Sequence, residues 1–404
     1  MSLHETLRGT GVALVTPFNS RGAIDFNALG KVIDSVIEGG VEYLVTLGTT
    51  GETPVLSKRE KTDLIQYTYE RARNRVPVIV GIGGNNTADL INDLHHFPLE
   101  ESVAVLSASP YYNKPSQEGI FQHYKALAEA SPKPLLLYNV PGRTGRNISA
   151  QTTLRLANEV DNIAGIKEAS GDMAQCMQIL RDKPEDFIVV SGDDALALPQ
   201  LACGMEGVIS VAANCFPKQF SEMVRLSLKG DFVSAKLVND ELIEGYDILF
   251  TENNPAGVKA FLAEQGLIDN YLRLPLVPLS NEVMKRLKDY LAKSRSGKRE
   301  TRIFYLNKDF PVEPGIYCRF SILVSCFSIS NKISRALNSN LRCRKNFFRF
   351  LLKNFQFIIL GTEMPDEQSF YISHFRGKRS LVCCSMIPCN GTLCQIFQVR
   401  SFMI

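Results

Sequence analysis

The sequence has few cysteines before its last quarter and no long apolar run. Its longest uninterrupted apolar runs are under 12 residues, whereas a helix that crosses a bilayer needs roughly 18–20. The N-terminus, Met1–Arg8, shows no signal or transit pattern. Only Cys176, Cys203 and Cys215 precede residue 294, which excludes a disulfide framework there. We therefore expect a soluble, cytoplasmic protein without a membrane partner.

Histidine and glycine patterns that would indicate a metal or a dinucleotide are also lacking. The five histidines show no metal-ligand spacing, so no metal is expected. Gly81–Gly84 follows an apolar run but lacks the third glycine of a dinucleotide fingerprint and an acidic residue at the right distance. With 45 Lys and Arg against 42 Asp and Glu, the overall charge does not indicate a nucleic-acid partner.

This balanced charge conceals two unlike segments. Residues 295–404 carry 17 Lys and Arg against 6 Asp and Glu, a net charge of +11, and residues 1–294 carry a net charge of −8. Residues 295–404 also hold 7 of the 10 cysteines and 13 of the 23 phenylalanines, without helical or strand periodicity. We interpret them as a basic tail that is disordered or foreign to the fold, produced by translation past a normal stop or by an erroneous gene join. The alternative is an accessory segment that binds anionic partners.

Eight short runs rich in Val, Ile and Leu recur along the first 217 residues, with starts 20–33 residues apart. They are Gly11–Pro17, Tyr43–Leu47, Val76–Ile82, Val103–Ala108, Pro134–Tyr138, Ile163–Ile166, Phe187–Val190 and Gly207–Val211. Each run is continuous rather than alternating, which is typical of parallel strands buried on both faces. The spacing leaves room for a helix in each crossover.

Amphipathic segments between the runs supply those helices. Phe26–Gly39 has apolar residues at helical spacing, and Ser57–Arg73 begins with a Ser57/Glu60 capping box. Eight strand–helix alternations predict a closed (β/α)8 barrel, a TIM barrel, over residues 1–217, with an open doubly wound sheet as the alternative. Residues 218–294 keep only helical periodicity and predict a small C-terminal helical domain. One of its apolar faces would comprise Val238, Leu242, Tyr246, Leu249 and Phe250.

Reactive side chains follow the predicted strands, at the rim where barrel enzymes carry their active sites. Lys167 comes directly after the sixth run. Burial lowers the pKa of an amine, and a neutral amine attacks a carbonyl carbon; the alternative is a lysine that only reaches the rim. Hydroxyl groups after the second, fourth and fifth runs could move protons, and Arg143 could clamp a carboxylate. These hydroxyl groups belong to Thr49, Thr50, Tyr111, Tyr112 and Tyr138.

Six motifs together resemble the dihydrodipicolinate synthase family over about residues 7–293. They are GTTGE (48–52), PYYNKPSQEG (110–119), YNVPGRTG (138–145), GIKEASG (165–171), SGDD (191–194) and GVISVAAN (207–214). The resemblance implies that Lys167 forms an imine with pyruvate and that Tyr138 is the general acid/base. It further implies that Thr49 and Tyr112 complete a proton relay, with Tyr112 reaching into a neighbouring subunit.

The resemblance also implies the substrates and their contacts. Thr50 would bind the carboxylate of pyruvate and Arg143 that of L-aspartate 4-semialdehyde, while Gly192 and Ile209 would supply backbone carbonyls. The expected product is 4-hydroxy-tetrahydrodipicolinate, a precursor of diaminopimelate and lysine. No cofactor is expected, because the imine itself is the electron sink, and the expected assembly is a homotetramer built as a dimer of dimers.

Two alternatives to this activity stay open. Related pyruvate aldolases, the N-acetylneuraminate and 2-keto-3-deoxy acid lyases, share the lysine and the tyrosine but generally lack Arg143. A non-catalytic barrel is the other alternative.

Members of the family often bind lysine as an inhibitor between subunits. The matching segments here are Thr53–Lys61 and Asn85–Asp89, and a possible effector site comprises Thr53, Asn85 and Asp89 from these segments together with Tyr111. Lys58 and Lys61 lie in the first segment, and their positive charge would repel a cationic effector. We therefore predict weak or absent feedback inhibition.

Overall fold

The computed structural model describes residues 3–295 and six strands within residues 304–403. The chain divides into two compact units, Met1–Ala292 and Lys293–Ile404. In the described part of the chain, no helix combines the length and the apolar character that a membrane crossing requires.

The first unit contains a closed barrel of eight parallel strands. Each strand pairs with the next, and β8 pairs with β1. Nearly every strand residue is buried, as expected of strands covered on both faces. The strands are β1 (Gly9–Ala13), β2 (Tyr43–Thr46), β3 (Val78–Gly81), β4 (Ala104–Ala108), β5 (Leu135–Asn139), β6 (Ile163–Glu168), β7 (Ile188–Ser191) and β8 (Gly207–Ser210). The predicted TIM barrel is confirmed, and the open sheet is excluded.

Helices cover the outside of the barrel. Ser57 and Glu60 form the predicted capping box at the start of the third helix, and Asp25 caps the second. The helices are α1 (Leu3–Thr6), α2 (Phe26–Glu38), α3 (Lys58–Ala72), α4 (Thr87–His96), α5 (Gln117–Ala130), α6 (Pro141–Thr144), α7 (Ala150–Glu159), α8 (Met173–Asp182) and α9 (Ala197–Ala202).

Two apolar layers stabilise this arrangement. One fills the barrel interior and includes Val45, Leu136, Val190 and Ile209. The other lies between the strands and the helices. Side chains that alternate along each strand therefore enter different layers, which explains why the predicted runs are continuously apolar.

Four further helices complete the first unit: α10 (Pro217–Leu228), α11 (Phe232–Phe250), α12 (Ala256–Glu264) and α13 (Asn281–Arg295). Leu242, Tyr246 and Leu249 of α11 are buried as predicted. Phe250, the last residue of α11, is 40 % exposed and does not belong to the buried face. α10 begins at the predicted boundary between residues 217 and 218, and we keep the division into barrel and helical domain as a proposal.

The described strands of the second unit form two antiparallel sheets. One pairs β9 (Phe304–Glu313) with β10 (Ile316–Val324). The other has the order β11 (Phe357–Met364), β12 (Glu367–His374), β13 (Ser380–Ser385) and β14 (Gln398–Met403). The remaining residues of the basic tail lie outside the described residues, and our interpretation of the tail stays a prediction.

Candidate active site

Lys167 and Tyr138 meet at the carboxyl ends of two neighbouring strands. They are register partners on β6 and β5, and the Nζ of Lys167 lies 4.4 Å from the centroid of the Tyr138 ring. Only 4 % of Lys167 and 7 % of Tyr138 is exposed. The lysine therefore does not extend to bulk solvent, and its amine lies beside a phenol that could exchange protons with a bound substrate.

Gly192 follows β7 and packs against the stem of Lys167. A Cβ added at Gly192 would lie 2.8 Å from Cε of Lys167 and 2.7 Å from Cβ of Ala169, so a larger residue would displace the lysine. Ile209 lies on β8 with its side chain in the interior layer. Both residues that were expected to supply backbone carbonyls therefore lie at the barrel's core, and Gly192 is in direct contact with the lysine.

The next residue of β6, Glu168, is fully buried and held entirely by amide groups. Asn139 Nδ2 donates to both of its carboxylate oxygens at 3.0–3.1 Å, Gln175 Nε2 donates at 3.0 Å, and the backbone N–H of Ser170 donates at 2.7 Å. Because Asn139 follows Tyr138 and Glu168 follows Lys167, this network joins the two strand ends behind the reactive pair. No sequence pattern indicated this network, although Asn139 and Glu168 lie within the YNVPGRTG and GIKEASG motifs.

Thr49 and Thr50 lie on a short 3-10 turn, Thr49–Gly51, after β2. Thr50 is buried, and Asn254 Nδ2 donates to its hydroxyl oxygen at 3.0 Å. Thr53, a predicted effector-site residue, donates to the carbonyls of Leu47 and Gly48 at 2.8 Å. Its hydroxyl therefore shapes the loop that carries the two threonines.

Arg143 lies on α6 and is held by the turn between α11 and α12. Its Nη2 donates to Asn253 Oδ1 at 2.8 Å and to the backbone oxygen of Asn254 at 3.3 Å. Asn254 thus contacts both predicted carboxylate-binding residues, Thr50 and Arg143. These contacts span 110 and 204 positions, so no local pattern could have revealed them.

Tyr111 and Tyr112 lie on the segment between β4 and α5, at the outer surface of this chain. Tyr112 is 88 % exposed and has a φ of +70°, and Tyr111 is 41 % exposed. Asn113 Nδ2 donates to the backbone oxygen of Asn85 at 3.1 Å, which joins two parts of the predicted effector site. Asp89 accepts from Asn86 within the first turn of α4.

A buried carboxyl group fixes the loop after β8. Asp194 accepts from the hydroxyl of Ser210 at 2.5 Å and from the backbone N–H groups of Val211 and Ala212 at 3.1 and 3.0 Å. Burial raises the pKa of Asp194 to about 6, against the lowering effect of these bonds.

Within the part of the chain that the structure describes, no group of three His, Cys, Asp or Glu could hold a metal ion.

Comparisons with known proteins agree with this geometry. The profile of the Dihydrodipicolinate synthetase family matches residues 6–294. The chain is 48 % identical over 285 residues to a 4-hydroxy-tetrahydrodipicolinate synthase of Parabacteroides distasonis, which covers 70 % of this chain and 96 % of the relative.

Solved structures give the same result. The chloride-inhibited dihydrodipicolinate synthase of Acinetobacter baumannii, complexed with pyruvate, is 42 % identical with a TM-score of 0.70, covering 72 % of this chain and 99 % of that chain. The enzyme of Cyanidioschyzon merolae with lysine bound is 33 % identical with a TM-score of 0.69 over the same shares. On this evidence, the chain belongs to the dihydrodipicolinate synthetase family.

Proposed function

We propose that this chain is a Schiff-base-forming lyase that condenses pyruvate with L-aspartate 4-semialdehyde to 4-hydroxy-tetrahydrodipicolinate, a step of diaminopimelate and lysine biosynthesis. The observation that carries the proposal is the buried amine of Lys167 beside the Tyr138 ring at the carboxyl ends of β5 and β6. The family membership and the names of the relatives support the same activity.

In the first half of the reaction, the amine of Lys167 attacks the keto carbon of pyruvate. Tyr138 gives a proton to the resulting oxygen, water leaves, and a protonated imine remains. The Tyr138 phenolate left by this step then takes a proton from the methyl carbon, which gives the enamine, with the imine nitrogen accepting the electron pair. Thr50 binds the pyruvate carboxylate, and the carbonyls of Gly192 and Ile209 line the site.

In the second half, the enamine carbon attacks the aldehyde carbon of the second substrate, whose carboxylate Arg143 binds. Tyr138 gives a proton to the alkoxide that forms, and the protonated imine is restored. The amino group of that substrate then attacks the imine carbon and displaces Lys167, which closes the ring and frees the enzyme. Thr49 and Tyr112 relay protons between Tyr138 and solvent.

We further propose that Tyr112 acts in a neighbouring subunit of a homotetramer located in the cytoplasm. Its side chain is almost fully exposed and projects from a backbone with positive φ. Such a conformation is unfavourable for a tyrosine and is retained mainly where a contact requires it. The proposed domains are the barrel (1–217), the helical domain (218–294) and the tail (295–404).

Borohydride trapping tests this function directly. Pyruvate plus borohydride should add mass irreversibly at Lys167, located by peptide mass spectrometry, and a Lys167→Ala variant should give no adduct. Absence of an adduct in the unaltered chain would establish the non-catalytic barrel.

Comparison of aldehydes then separates the remaining alternatives. The adduct-forming enzyme should turn over L-aspartate 4-semialdehyde far faster than N-acetylmannosamine or glyceraldehyde, and Arg143→Ala should raise KM for that aldehyde. Preference for a sugar aldehyde would instead favour the related lyases.

A further inference from the structure

Glu52 is a buried acidic residue in the loop that carries Thr49 and Thr50. It lies between two 3-10 turns, Thr49–Gly51 and Thr53–Val55, with a φ of 54° and a ψ of 34°. This left-handed conformation favours glycine over residues with a side chain. A side chain retained at such a position has a role that outweighs the conformational cost.

The Glu52 carboxylate is paired with Lys259 on α12. Both side chains are 0 % exposed in this ion pair. Lys259 Nζ also donates to the backbone oxygen of Tyr271 at 2.9 Å and lies 4.1 Å from the ring centroid of Phe18. The second carboxylate oxygen of Glu52 accepts from the backbone N–H of Arg273 at 3.1 Å. All the groups that hold Glu52 therefore belong to the C-terminal helical part of the unit.

Stability alone does not explain such a pair. The desolvation of two charges offsets most of their attraction, and well-packed apolar residues are often as stable or more stable in the same place. What a buried pair supplies is a defined geometry, because each charge tolerates only one arrangement of its partner. The sequence indicated no such role for Lys259, since it lies in a short helix (Ala256–Glu264) that contains only apolar and small residues besides Lys259 and the terminal Glu264.

Each member of the pair lies close in sequence to one of the two residues that form the Thr50–Asn254 hydrogen bond. Glu52 follows Thr50 by two residues, and Lys259 follows Asn254, the donor to the Thr50 hydroxyl, by five. The segment from Asn254 to Lys259 therefore holds the threonine loop at two points, one through a hydrogen bond and one through an ion pair.

We propose that Glu52 and Lys259 are positioning residues that hold Thr49 and Thr50 at the mouth of the barrel, so that pyruvate binding depends on this pair. The inference rests on the proposed function, in which Thr50 binds the pyruvate carboxylate. Neither charge touches the substrate. A loop displaced by about 1 Å no longer matches the carboxylate, and binding weakens.

The test compares Glu52→Gln, Lys259→Met and the double variant in the full chain. The double variant leaves no buried charge unpaired and should fold even where Lys259→Met does not. We expect the double variant to melt near the temperature of the unaltered chain, yet to need at least about tenfold more pyruvate for half-maximal borohydride trapping at Lys167. Its kcat at saturating pyruvate should change much less.

Lys183→Met is the matched control. Lys183 and Glu206 form an ion pair at 3.1 Å with 14 % and 12 % of the side chains exposed, before β7 and β8 at the opposite end of the barrel. This variant should lose stability without any change in half-saturation by pyruvate.

Two outcomes would overturn the inference. One is a folded double variant with native half-saturation by pyruvate, which would make the pair purely structural. The other is a change in half-saturation as large in Lys183→Met as in the double variant, which would reflect general destabilisation. If the unaltered chain itself forms no adduct, the proposed function fails instead, and the two failures are thereby distinguished.

Discussion

Tyr138 and Lys167 face each other across the β5–β6 register, with the lysine nitrogen 4.4 Å from the phenol ring centroid. The ring covers the amine, while the hydroxyl is a separate functional group on the same side chain. The packing of the ring over the amine and the transfer of protons by the hydroxyl can therefore be separated experimentally.

Tyr138→Phe keeps the ring and removes only the hydroxyl. We expect kcat to fall by roughly 10²–10⁴-fold, the usual contribution of a general acid/base, with little change in half-saturation by pyruvate. Steady-state kinetics and borohydride trapping measure the two quantities. Tyr124→Phe is the control, since Tyr124 is buried and donates to the backbone oxygen of Ser107 at 2.9 Å. An equal loss of kcat in both variants would remove the special role of Tyr138.

Asn254 determines whether the hydroxyl hydrogen of Thr50 is available to a substrate. Because the amide donates to the threonine oxygen, the hydroxyl hydrogen is free for a substrate carboxylate. Asn254→Asp reverses this and brings a negative charge close, so we expect KM for pyruvate to rise at least about tenfold. In a double-mutant cycle with Thr50→Val, the two effects should not add. Additive effects would contradict the coupling.

Asn253→Gly tests the binding of the aldehyde carboxylate by Arg143 independently of the binding of the pyruvate carboxylate by Thr50. Glycine tolerates the φ of +79° at this position but removes the oxygen that accepts from Arg143. We expect KM for the aldehyde to rise severalfold while KM for pyruvate stays unchanged. A change confined to pyruvate would contradict this assignment of Arg143.

His123 makes stability depend on pH. It is 5 % exposed, its Nδ1 lies 2.8 Å from the Thr87 hydroxyl, and burial lowers its pKa to about 4 from 6.5. Below pH 6.5 the unfolded chain binds a proton that the folded chain does not. The free energy of unfolding should thus fall between pH 6.5 and 4, by at most about 1.4 kcal/mol per pH unit from this residue.

Denaturant unfolding at several pH values measures this effect. His123→Gln should flatten the dependence, and His96→Gln, at an exposed position of α4, should not. An unchanged slope in His123→Gln would assign the acid sensitivity to other groups.

Feedback by lysine should be weak or absent. Lys58 forms an ion pair with Asp93 at 2.7 Å, and the hydrogen bond raises its pKa, so Lys58 stays protonated beside the predicted effector site, with Asp93 offsetting part of its charge. Titration of the activity with L-lysine tests this. Half-inhibition below about a millimolar, a binding free energy near −4 kcal/mol, would contradict the prediction.

The barrel could be predicted because its strands are continuously apolar, yet the strand bounds differ from the apolar runs, most of all for the first strand. The first strand was expected at Gly11–Pro17 and lies at Gly9–Ala13. Leu14 and Val15 are 2 % and 1 % exposed but lie beyond the strand, so the apolar run continues for packing rather than for sheet pairing. Gly9, which precedes the first apolar run, pairs with Gly207 at the start of the eighth.

Residues that support the candidate site were harder to predict than those that carry its chemistry. Lys167 directly follows an apolar run and Tyr138 ends one, which marks them in the sequence. Asn254 and Lys259 act through contacts with residues about 200 positions away, and a lysine within a helix is normally expected at the surface. Only the folded chain shows that Lys259 is buried.

The turn between α11 and α12 has a consequence for any attempt to shorten this protein. A fragment that stopped at the last barrel strand would keep the reactive amine and every loop around it, but Thr50, Glu52 and Arg143 would each lose a partner supplied from beyond residue 250. The smallest catalytically competent piece should therefore extend at least to Arg273, and the helical appendage counts as part of the catalytic frame rather than as a removable accessory.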